Sequence, residues 1–189
     1  EEKMDPLPIW WPNHDLEKLE QYPIHAITQR PAAMYHSWGS QNVWLRQIHG
    51  SNKLFLPERI WEENDFEVGD WARLTSENSS IVVPVALMKG QNQDTVWTWN
   101  AIGKRKGSWA LDENVEEANK GFIINHLISD LLPNKESGYR YSNSDPITGQ
   151  AAWYDLLVKI EKVNNPGNLS LPQFPALSSP VKVGVDKKK

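Results

Sequence analysis

The sequence contains no cysteine in its 189 residues. A chain without cysteine cannot be a disulfide-stapled scaffold, and its own residues cannot hold a thiolate-ligated metal or an iron–sulfur cluster. No apolar run approaches the length needed to span a bilayer, and no secretory leader is visible at the beginning. These absences favour a cytoplasmic location. The first residue is Glu1 rather than methionine, so we expect the sequence to be part of a longer one.

Positive charge is not in excess either. Lys and Arg number 20 against 24 Asp and Glu, giving a net charge of −4 and an isoelectric point near 5.8. A broad cationic surface for nucleic acid is therefore not expected.

Motifs for independent hydrolysis are missing: there is no His-Glu-x-x-His, no Ser-His-Asp order and no paired-carboxylate motif. Glycine and cations gather at residues 103–107, but without P-loop spacing a solvated turn is favoured over a phosphate cradle.

Tryptophan, proline and glycine are abundant. Ten Trp, 13 Pro and 11 Gly favour many short elements joined by turns, with aromatic side chains in cores, interfaces or ligand platforms. Early prolines predict an extended arm over residues 1–21. The Pro, Ser and terminal Lys content predicts a flexible tail over residues 164–189. Residues 22–163 between them are long enough for one domain with a sizeable core.

Alternation of apolar and polar residues predicts strands separated by turn residues. The predicted strands are residues 22–28, 53–57, 71–75, 81–87, 94–99 and 156–163. Pro84 suggests that its strand lies at an edge or carries a bulge. Helices are predicted at 43–49, 58–64 and 114–132, the last with an apolar face interrupted by Gly121. The pattern predicts a mainly β, single-domain barrel with inserted helices, α+β by count.

The first predicted strand runs into a loop that is dense in hydrogen-bonding side chains. These side chains are Arg30, Tyr35, His36, Ser37, Ser40 and Gln41. Burying so many donors and acceptors is costly unless something satisfies them. A guanidinium, an imidazole, hydroxyls and an amide together suit a polyanionic heterocycle such as a pterin or a nucleotide. A second polar segment, SNSDPITGQAAWY at 142–154, is expected to meet this loop.

Several motifs, taken in order, resemble one protein family. They are YPIHAITQR, YHSWGSQN, PERIWEEND, EVGDWARLTS, IVVPVAL and SNSDPITGQAAWY. Over residues 22–163 they resemble the C-terminal, molybdopterin-dinucleotide-binding domain of the dimethyl sulfoxide reductase family of molybdenum oxidoreductases. The stretches WTWNAIGKRKGSW and GFIINHLISDLLP look most like large subunits of the sulfite dehydrogenase type.

The resemblance implies a double-psi β-barrel, one of several domains of a large catalytic subunit, closing over two molybdopterin guanine dinucleotides that hold the molybdenum. It implies no catalytic residue and no metal ligand in this chain, and an iron–sulfur cluster only in other parts of the subunit. The implied partners are the other domains of the subunit, a membrane anchor subunit, plus an iron–sulfur electron-transfer subunit. Nucleic acid and direct membrane insertion are not expected. The isolated chain is expected to be inactive, and the cytoplasmic enzyme to be membrane-associated through its partners.

The resemblance also implies which residues bind the cofactor. They are Thr28, Arg30, Tyr35, His36, Ser37, Ser40, Gln41, Asn125, Asn143, Thr148, Gly149, Trp153 and Tyr154. Asp145 falls in the same late loop, where a plain turn explains it equally well. Tyr154 stands where the family often has Lys, so a cationic contact is not implied there. His36 alone would be a structural histidine, but beside Arg30 in one polar loop it is interpreted as a ligand contact.

Two other functions remain open from the residues alone. A free-standing Trp-rich module would bind carbohydrate or another flat ligand, and a structural or assembly domain would use its Trp only for packing. An upstream reading frame continuous with Glu1 and carrying a Cys-rich cluster motif would favour the cofactor domain over both. The cofactor hypothesis also predicts that strands 22–28 and 156–163 lie near each other. This arrangement would bring residues 30–36 within reach of residues 143–149.

Overall fold

The computed structural model describes residues 18–36, 38–100, 102–103, 120–128, 150–151 and 156–172. Its strands are β1 (Ile24–Gln29), β2 (Leu54–Leu56), β3 (Trp71–Thr75), β4 (Ser80–Leu87), β5 (Thr95–Trp99) and β6 (Leu157–Val163). Its helices are α1 (Val43–Ile48), α2 (Glu58–Glu63) and two 3-10 helices, Trp38–Gln41 and Ile124–Leu127. The six predicted strands and the helices predicted at 43–49 and 58–64 are confirmed, with bounds that shift by about two residues at most.

The six strands form a closed barrel in the order β1-β5-β2-β4-β3-β6. The pairs β1–β5 and β2–β4 are parallel, and the other neighbours are antiparallel. Strand β6 closes the barrel on β1, with Ile24 opposite Val158 and His25 opposite Leu157. The predicted mainly β barrel is therefore confirmed, and so is the predicted proximity of its first and last strands.

Alternation along the strands places one set of side chains in the interior. In β3, Ala72 and Leu74 are fully buried, while Arg73 between them is exposed. Strand β4 has buried residues on both faces near its start, because residues 164–172 and 120–128 cover the barrel there. The buried apolar side chains from strands, α2 and residues 120–128 make one continuous core. A single hydrophobic core is what a domain of this size requires.

Pro84 was predicted to mark an edge strand or a bulge. It lies inside β4, which has a neighbour on each side, so the edge is wrong, and the pairing with β3 from Ser80 to Pro84 has no inserted residue that would make a bulge. Proline has no backbone N–H to donate, but the sheet loses no hydrogen bond at Pro84. Pro84 is opposite Trp71 of β3, and the next residue, Val85, donates its N–H to the carbonyl of Asp70 at 3.1 Å. Amide directions alternate along a strand, so the nitrogen of Pro84 faces the β2 side. Pairing with β2 begins only at Val85.

The helix predicted over 114–132 is wrong for the part that the structure describes. Ile123 is extended, with φ −133° and ψ 148°, and only the next four residues form a single 3-10 turn. Phe122 donates its N–H to the Ile102 carbonyl at 3.0 Å and accepts a 2.7 Å hydrogen bond from Asn52. The apolar run is thus paired with other parts of the chain, and these tertiary contacts override its helical pattern.

Residues 164–172, the first part of the predicted tail, lie against the barrel. Ser170 and Val82 of β4 exchange backbone hydrogen bonds of 3.1 and 2.8 Å. Leu169 and Leu171 pack against the core. Ordered contacts with the barrel therefore continue beyond Val163, while residues 173–189 lie outside the described part of the chain.

Candidate functional site

The polar loop begins where two parallel strands end side by side. Gln29, the last residue of β1, is opposite Trp99, the last residue of β5. Asn100 donates its N–H to the Gln29 carbonyl at 2.9 Å, which extends the pairing by one step. Parallel strands bring their carboxyl ends to one edge, where ligands of many open sheets bind. Arg30 and Asn100 follow the two strands at this edge.

Arg30, Tyr35 and His36 form a compact cluster in the loop after β1. The Nη2 of Arg30 and the Nε2 of His36 are 2.8 Å apart, a distance at which the guanidinium donates to the imidazole. The Arg30 guanidinium lies 5.0 Å from the Tyr35 ring centroid, within cation–π range. The rings of Tyr35 and His36 meet edge-on at 5.1 Å. The structure thus brings these three predicted site residues together.

The backbone of His36 has a φ of 47°. This left-handed conformation is uncommon for a residue other than glycine. Such outliers are costly and are found preferentially at ligand clamps and active sites. The residue with this backbone conformation is the one whose imidazole contacts Arg30, six positions earlier.

A small apolar cluster holds the inner side of the loop on the barrel. Met34 and Ile102 are buried, with Leu45 of α1 and Trp99 of β5 packed against them. Gly39 fits between Met34 and Leu45, since a Cβ there would lie 2.9 Å from a Leu45 methyl group. Arg30, in contrast, is an exposed residue. The loop is therefore anchored by its apolar residues while its cation faces outward.

The buried side chain of Asn52 forms hydrogen bonds with the end of β5. Its Nδ2 donates to the carbonyls of Trp99 at 2.9 Å and Phe122 at 2.7 Å. Its Oδ1 accepts from Thr98 Oγ1 at 2.7 Å and from the N–H groups of Trp99 and Lys53 at 3.2 and 3.0 Å. Both Asn52 and Thr98 are fully buried. Sequence analysis missed Asn52, for which the available signal is an amide two residues before the buried strand β2.

Asn100 was also missed by the sequence analysis. Its Oδ1 is buried and accepts no hydrogen bond from the part of the chain that the structure describes. Buried side-chain acceptors nearly always have a partner. The signal in the sequence is positional, because Asn100 directly follows a strand that ends beside the polar loop.

The other residues predicted to contact the cofactor are described by the structure only in part, or they lie apart from the Arg30 cluster. Thr28 is half-buried on β1 opposite Thr98. The backbone of Ser40 and Gln41 belongs to the 3-10 helix Trp38–Gln41, and their side chains lie outside what is described. Asn125 is exposed, and no hydrogen bond among the described residues joins it to the Arg30 cluster. The predicted site residues that lie wholly outside the described part are Ser37, Asn143, Thr148, Gly149, Trp153 and Tyr154, together with Asp145.

Large apolar side chains are exposed next to the cluster. The exposed fractions are 64% for Tyr35, 82% for Trp38 and 75% for Trp44, and Val43 and Ile48 of α1 are also exposed. Contiguous exposed apolar surface usually marks a binding region.

Among the described residues, no group of three His, Cys, Asp or Glu side chains is placed to hold a metal ion. In the same part of the chain, no helix has the length and apolar character needed to cross a membrane.

Comparison with known proteins gives one strong sequence match. No family model matches the chain. It is 46% identical over 175 residues to a sulfite dehydrogenase subunit of Allochromatium vinosum, and the match covers 90% of this chain and 18% of that protein. The expected relation to a sulfite dehydrogenase-type subunit is confirmed as homology to one segment of such a subunit. The chain spans about a fifth of the length of the curated relative that it matches.

A solved structure shares the fold. Acetylene hydratase from Pelobacter acetylenicus matches with a TM-score of 0.61 over 84% of this chain and 22% of that one. The two sequences are 16% identical, so this likeness concerns the fold alone. Here too, a chain of this length corresponds to one part of a larger protein.

Proposed function

We propose that this chain is the cofactor-binding domain of a molybdenum oxidoreductase large subunit, where it positions molybdopterin guanine dinucleotide for redox chemistry on a sulfur oxyanion. The observation that carries the proposal is the Arg30–His36–Tyr35 cluster at the shared end of β1 and β5. The 46% identity to a segment of a sulfite dehydrogenase subunit supports it. The domain is a double-psi barrel spanning about residues 22–163, and it is the C-terminal one of its subunit.

The side chains of the cluster fit such a cofactor. Arg30 offers a planar fork of N–H donors, which suits a pyrophosphate or a ring carbonyl. His36, held at 2.8 Å from Arg30, keeps the guanidinium oriented before any ligand arrives. The exposed face of Tyr35 gives a flat apolar surface beside the cation. When bound, the pterin dithiolenes hold the metal that performs the redox step; this domain orients the cofactor and excludes water.

The late loop is proposed to complete the site from the other side. Its motif ends at Tyr154, two positions before Leu156. The Leu156 carbonyl accepts the N–H of Ala26 at 2.9 Å, two residues before Thr28 on β1. Strands β1 and β6 run antiparallel, so the amino-terminal end of β6 points along β1 towards the end that Arg30 follows. Asn143, Thr148 and Gly149 are the proposed contacts from that loop.

The proposal extends to the assembly. The other domains of the subunit supply the metal's protein ligand and the iron–sulfur cluster, since this chain contains no cysteine. The proposed partners are a membrane anchor subunit together with an iron–sulfur electron-transfer subunit. They place a cytoplasmic enzyme at the membrane without inserting this domain into it.

A second candidate rests on the exposed Trp38 and Trp44. Exposed indole rings are stacking platforms for sugars and other flat ligands. A carbohydrate-binding module predicts that oligosaccharide binds the chain without any cofactor and that Trp38→Ala abolishes this binding. Calorimetric titration with oligosaccharides separates the two functions, because the cofactor domain gives no heat in that experiment.

Replacement of Arg30 in the complete subunit tests the proposed function. Arg30→Ala removes a charge-assisted pair of about 1.5–3 kcal/mol, so cofactor affinity falls about ten- to a hundredfold. Arg30→Lys recovers only part of this affinity because an ammonium cannot copy the planar fork. The measurements are molybdenum and pterin content and the thermal midpoint of each variant.

Arg73→Ala is the matched control, since Arg73 is an exposed arginine in the middle of β3. It should leave cofactor content unchanged. Normal cofactor loading in Arg30→Ala together with a lowered midpoint would make Arg30 a structural residue. The proposed site would then be wrong.

A further inference from the structure

We propose that Asn100 is a further cofactor-binding residue, whose side-chain oxygen accepts a hydrogen bond from an amino N–H on the edge of the bound heterocycle. The inference rests on the proposed function and adds to it the residue that recognises a ring edge. The carrying observation is a buried acceptor without a partner among the described residues, placed beside Arg30 by the pairing of β1 and β5.

The position of Asn100 is fixed by its backbone. Its N–H donates to the Gln29 carbonyl at 2.9 Å, and the preceding residue, Trp99, is opposite Gln29 in the parallel ladder. Trp99 is held in turn by Asn52 through both its N–H and its carbonyl. The strand end that carries Asn100 is therefore held by hydrogen bonds to Gln29 and Asn52, and Gln29 directly precedes Arg30.

Asn52 shows what a satisfied amide looks like in the same region. Its oxygen accepts from Thr98, Trp99 and Lys53, and its nitrogen donates to two carbonyls. The oxygen of Asn100 is buried like that of Asn52, but no donor in the described part of the chain reaches it. A buried amide oxygen without a donor is unfavourable, and a ligand that supplies the donor removes this cost on binding.

The other buried amide oxygen without a partner among the described residues belongs to Gln91. Gln91 precedes β5, and its Nε2 donates to the Thr95 carbonyl at 3.4 Å, at the beginning of the strand. It therefore lies at the opposite end of β5 from Arg30. Its position gives no connection to the proposed site, and the inference does not extend to it.

The chemistry selects the group that Asn100 recognises. A carbonyl oxygen can only accept, so its partner is a donor, whereas the neighbouring guanidinium only donates. Pterin and guanine share one edge that carries an amino group, a ring N–H and a ring carbonyl in a row. This edge offers donors for Asn100 together with an acceptor for a cationic neighbour. The shared chemistry is therefore the amino–oxo edge, from either the pterin or the guanine.

The test uses the complete subunit freed of cofactor, with GDP and neopterin as the two probes. Asn100→Leu should weaken binding of at least one probe about tenfold or more. The thermal midpoint of the cofactor-free subunit should stay the same or rise, because the variant no longer buries an unpaired oxygen. A purely structural asparagine would lower that midpoint instead. Asn100→Ala serves if leucine does not fit, and Asn165→Leu, an exposed asparagine outside the barrel strands, is the control.

Each outcome decides the inference. A loss confined to GDP assigns Asn100 to the guanine edge, and a loss confined to neopterin assigns it to the pterin edge. Unchanged binding of both probes in Asn100→Leu, with Arg30→Ala still weakened, overturns the inference and leaves the proposed function standing. A wild-type subunit that binds neither probe and is purified without pterin overturns both.

Discussion

Helices α1 and α2 are both six residues long, but they differ in what their apolar side chains do. Helix α2 buries Ile60 in the barrel core, and Trp61 packs partly against the same core. Helix α1 has no buried residue, and it exposes Val43, Trp44 and Ile48. The barrel core includes a side chain of α2. Helix α1 is attached through the partly buried Leu45, and its other apolar side chains face outward beside the Arg30 cluster.

Their surroundings differ in the same sense. Around α2, Arg59 pairs with Glu63 at 2.9 Å and with Asp94 at 2.8 Å, and Lys89 pairs with Glu58 at 2.5 Å. The hydrogen bond and charge of Glu58 raise the pKa of Lys89. Charged residues of this kind keep a surface soluble and monomeric. The surface at α1 is instead aromatic and apolar, which favours contact with another part of a larger protein.

The largest difference between the two helices is expected in the unfolding free energy lost when one isoleucine of each is truncated to alanine. Ile60 is 1% exposed and Ile48 is 64% exposed. Ile60→Ala should therefore cost about 2–5 kcal/mol of unfolding free energy, whereas Ile48→Ala should change it by no more than about 0.5 kcal/mol. Urea unfolding of the 189-residue chain measures both. A comparable loss at Ile48 would show that α1 belongs to the packing of the barrel after all.

Measuring the same two substitutions in the complete subunit tests whether α1 contacts another domain. If the apolar surface at α1 contacts another domain, Ile48→Ala should become destabilising there while remaining neutral in the isolated chain. Ile60→Ala should cost the same in both, since Ile60 is already buried in the barrel core of the isolated chain.

A smaller difference between the helices is expected in the stability lost when the asparagine at one end of each helix is replaced by alanine. Asn42 caps α1, accepting the N–H groups of Trp44 at 2.9 Å and Leu45 at 3.4 Å. Because α1 buries no residue, Asn42→Ala should destabilise it by about 1 kcal/mol. Amide exchange within α1 should speed up while the strands keep their protection.

The matched change on the other helix is Asn64→Ala. Asn64 donates from Nδ2 to the Ile60 carbonyl at 2.9 Å at the end of α2. Since the buried Ile60 side chain still holds α2, exchange of the α2 amides should change little. Equal acceleration in both helices would remove the distinction between them.

Local patterns predicted the strands well because their period is a property of neighbouring residues. Strand β3 has the predicted bounds, Trp71–Thr75, and its alternation of buried and exposed residues follows the sequence. The Arg30–His36 contact was within reach of sequence analysis for the same reason, since the two residues are six positions apart in one loop.

Contacts set by barrel closure could not be predicted in this way. Asn52 binds the Phe122 carbonyl across 70 positions and the Trp99 carbonyl across 47. No local pattern records such partners. The same closure explains why the helix predicted at 114–132 is wrong in its described part, residues 120–128. There Phe122, Ile124 and Leu127 are buried in the core, and the backbone of Phe122 pairs with Ile102. The edge that was one of two alternatives inferred from Pro84 does not exist in the closed sheet, and no local pattern shows that a sheet closes.

The smallest expected effect is a pH dependence on the α2 side of the molecule. Lys162 of β6 joins the chain after α2 to the sheet, with its Nζ 2.5 Å from the Asp65 carbonyl and 2.7 Å from Asp70 Oδ2. The same ammonium lies 5.8 Å from the Phe66 ring centroid. The hydrogen bond from Lys162, and next that from the Glu67 N–H, hold the pKa of Asp70 below its ordinary value of 3.8.

The sign of the effect follows from that depressed pKa. An acid whose pKa is lower in the folded state stabilises the fold above the unfolded pKa, and this stabilisation is lost as the pH falls through the folded value. The thermal midpoint of the wild type should therefore exceed that of Asp70→Asn by a constant amount above about pH 5, and the gap should narrow below about pH 4. High salt should shrink the gap as well, because the pair is solvent-accessible. Glu161→Gln, at an exposed neighbouring carboxylate, is the control. A gap that persists unchanged in acid would mean that Asp70 acts through its shape or its backbone contact rather than its charge, and the α2 side would then lose its proposed electrostatic stabilisation.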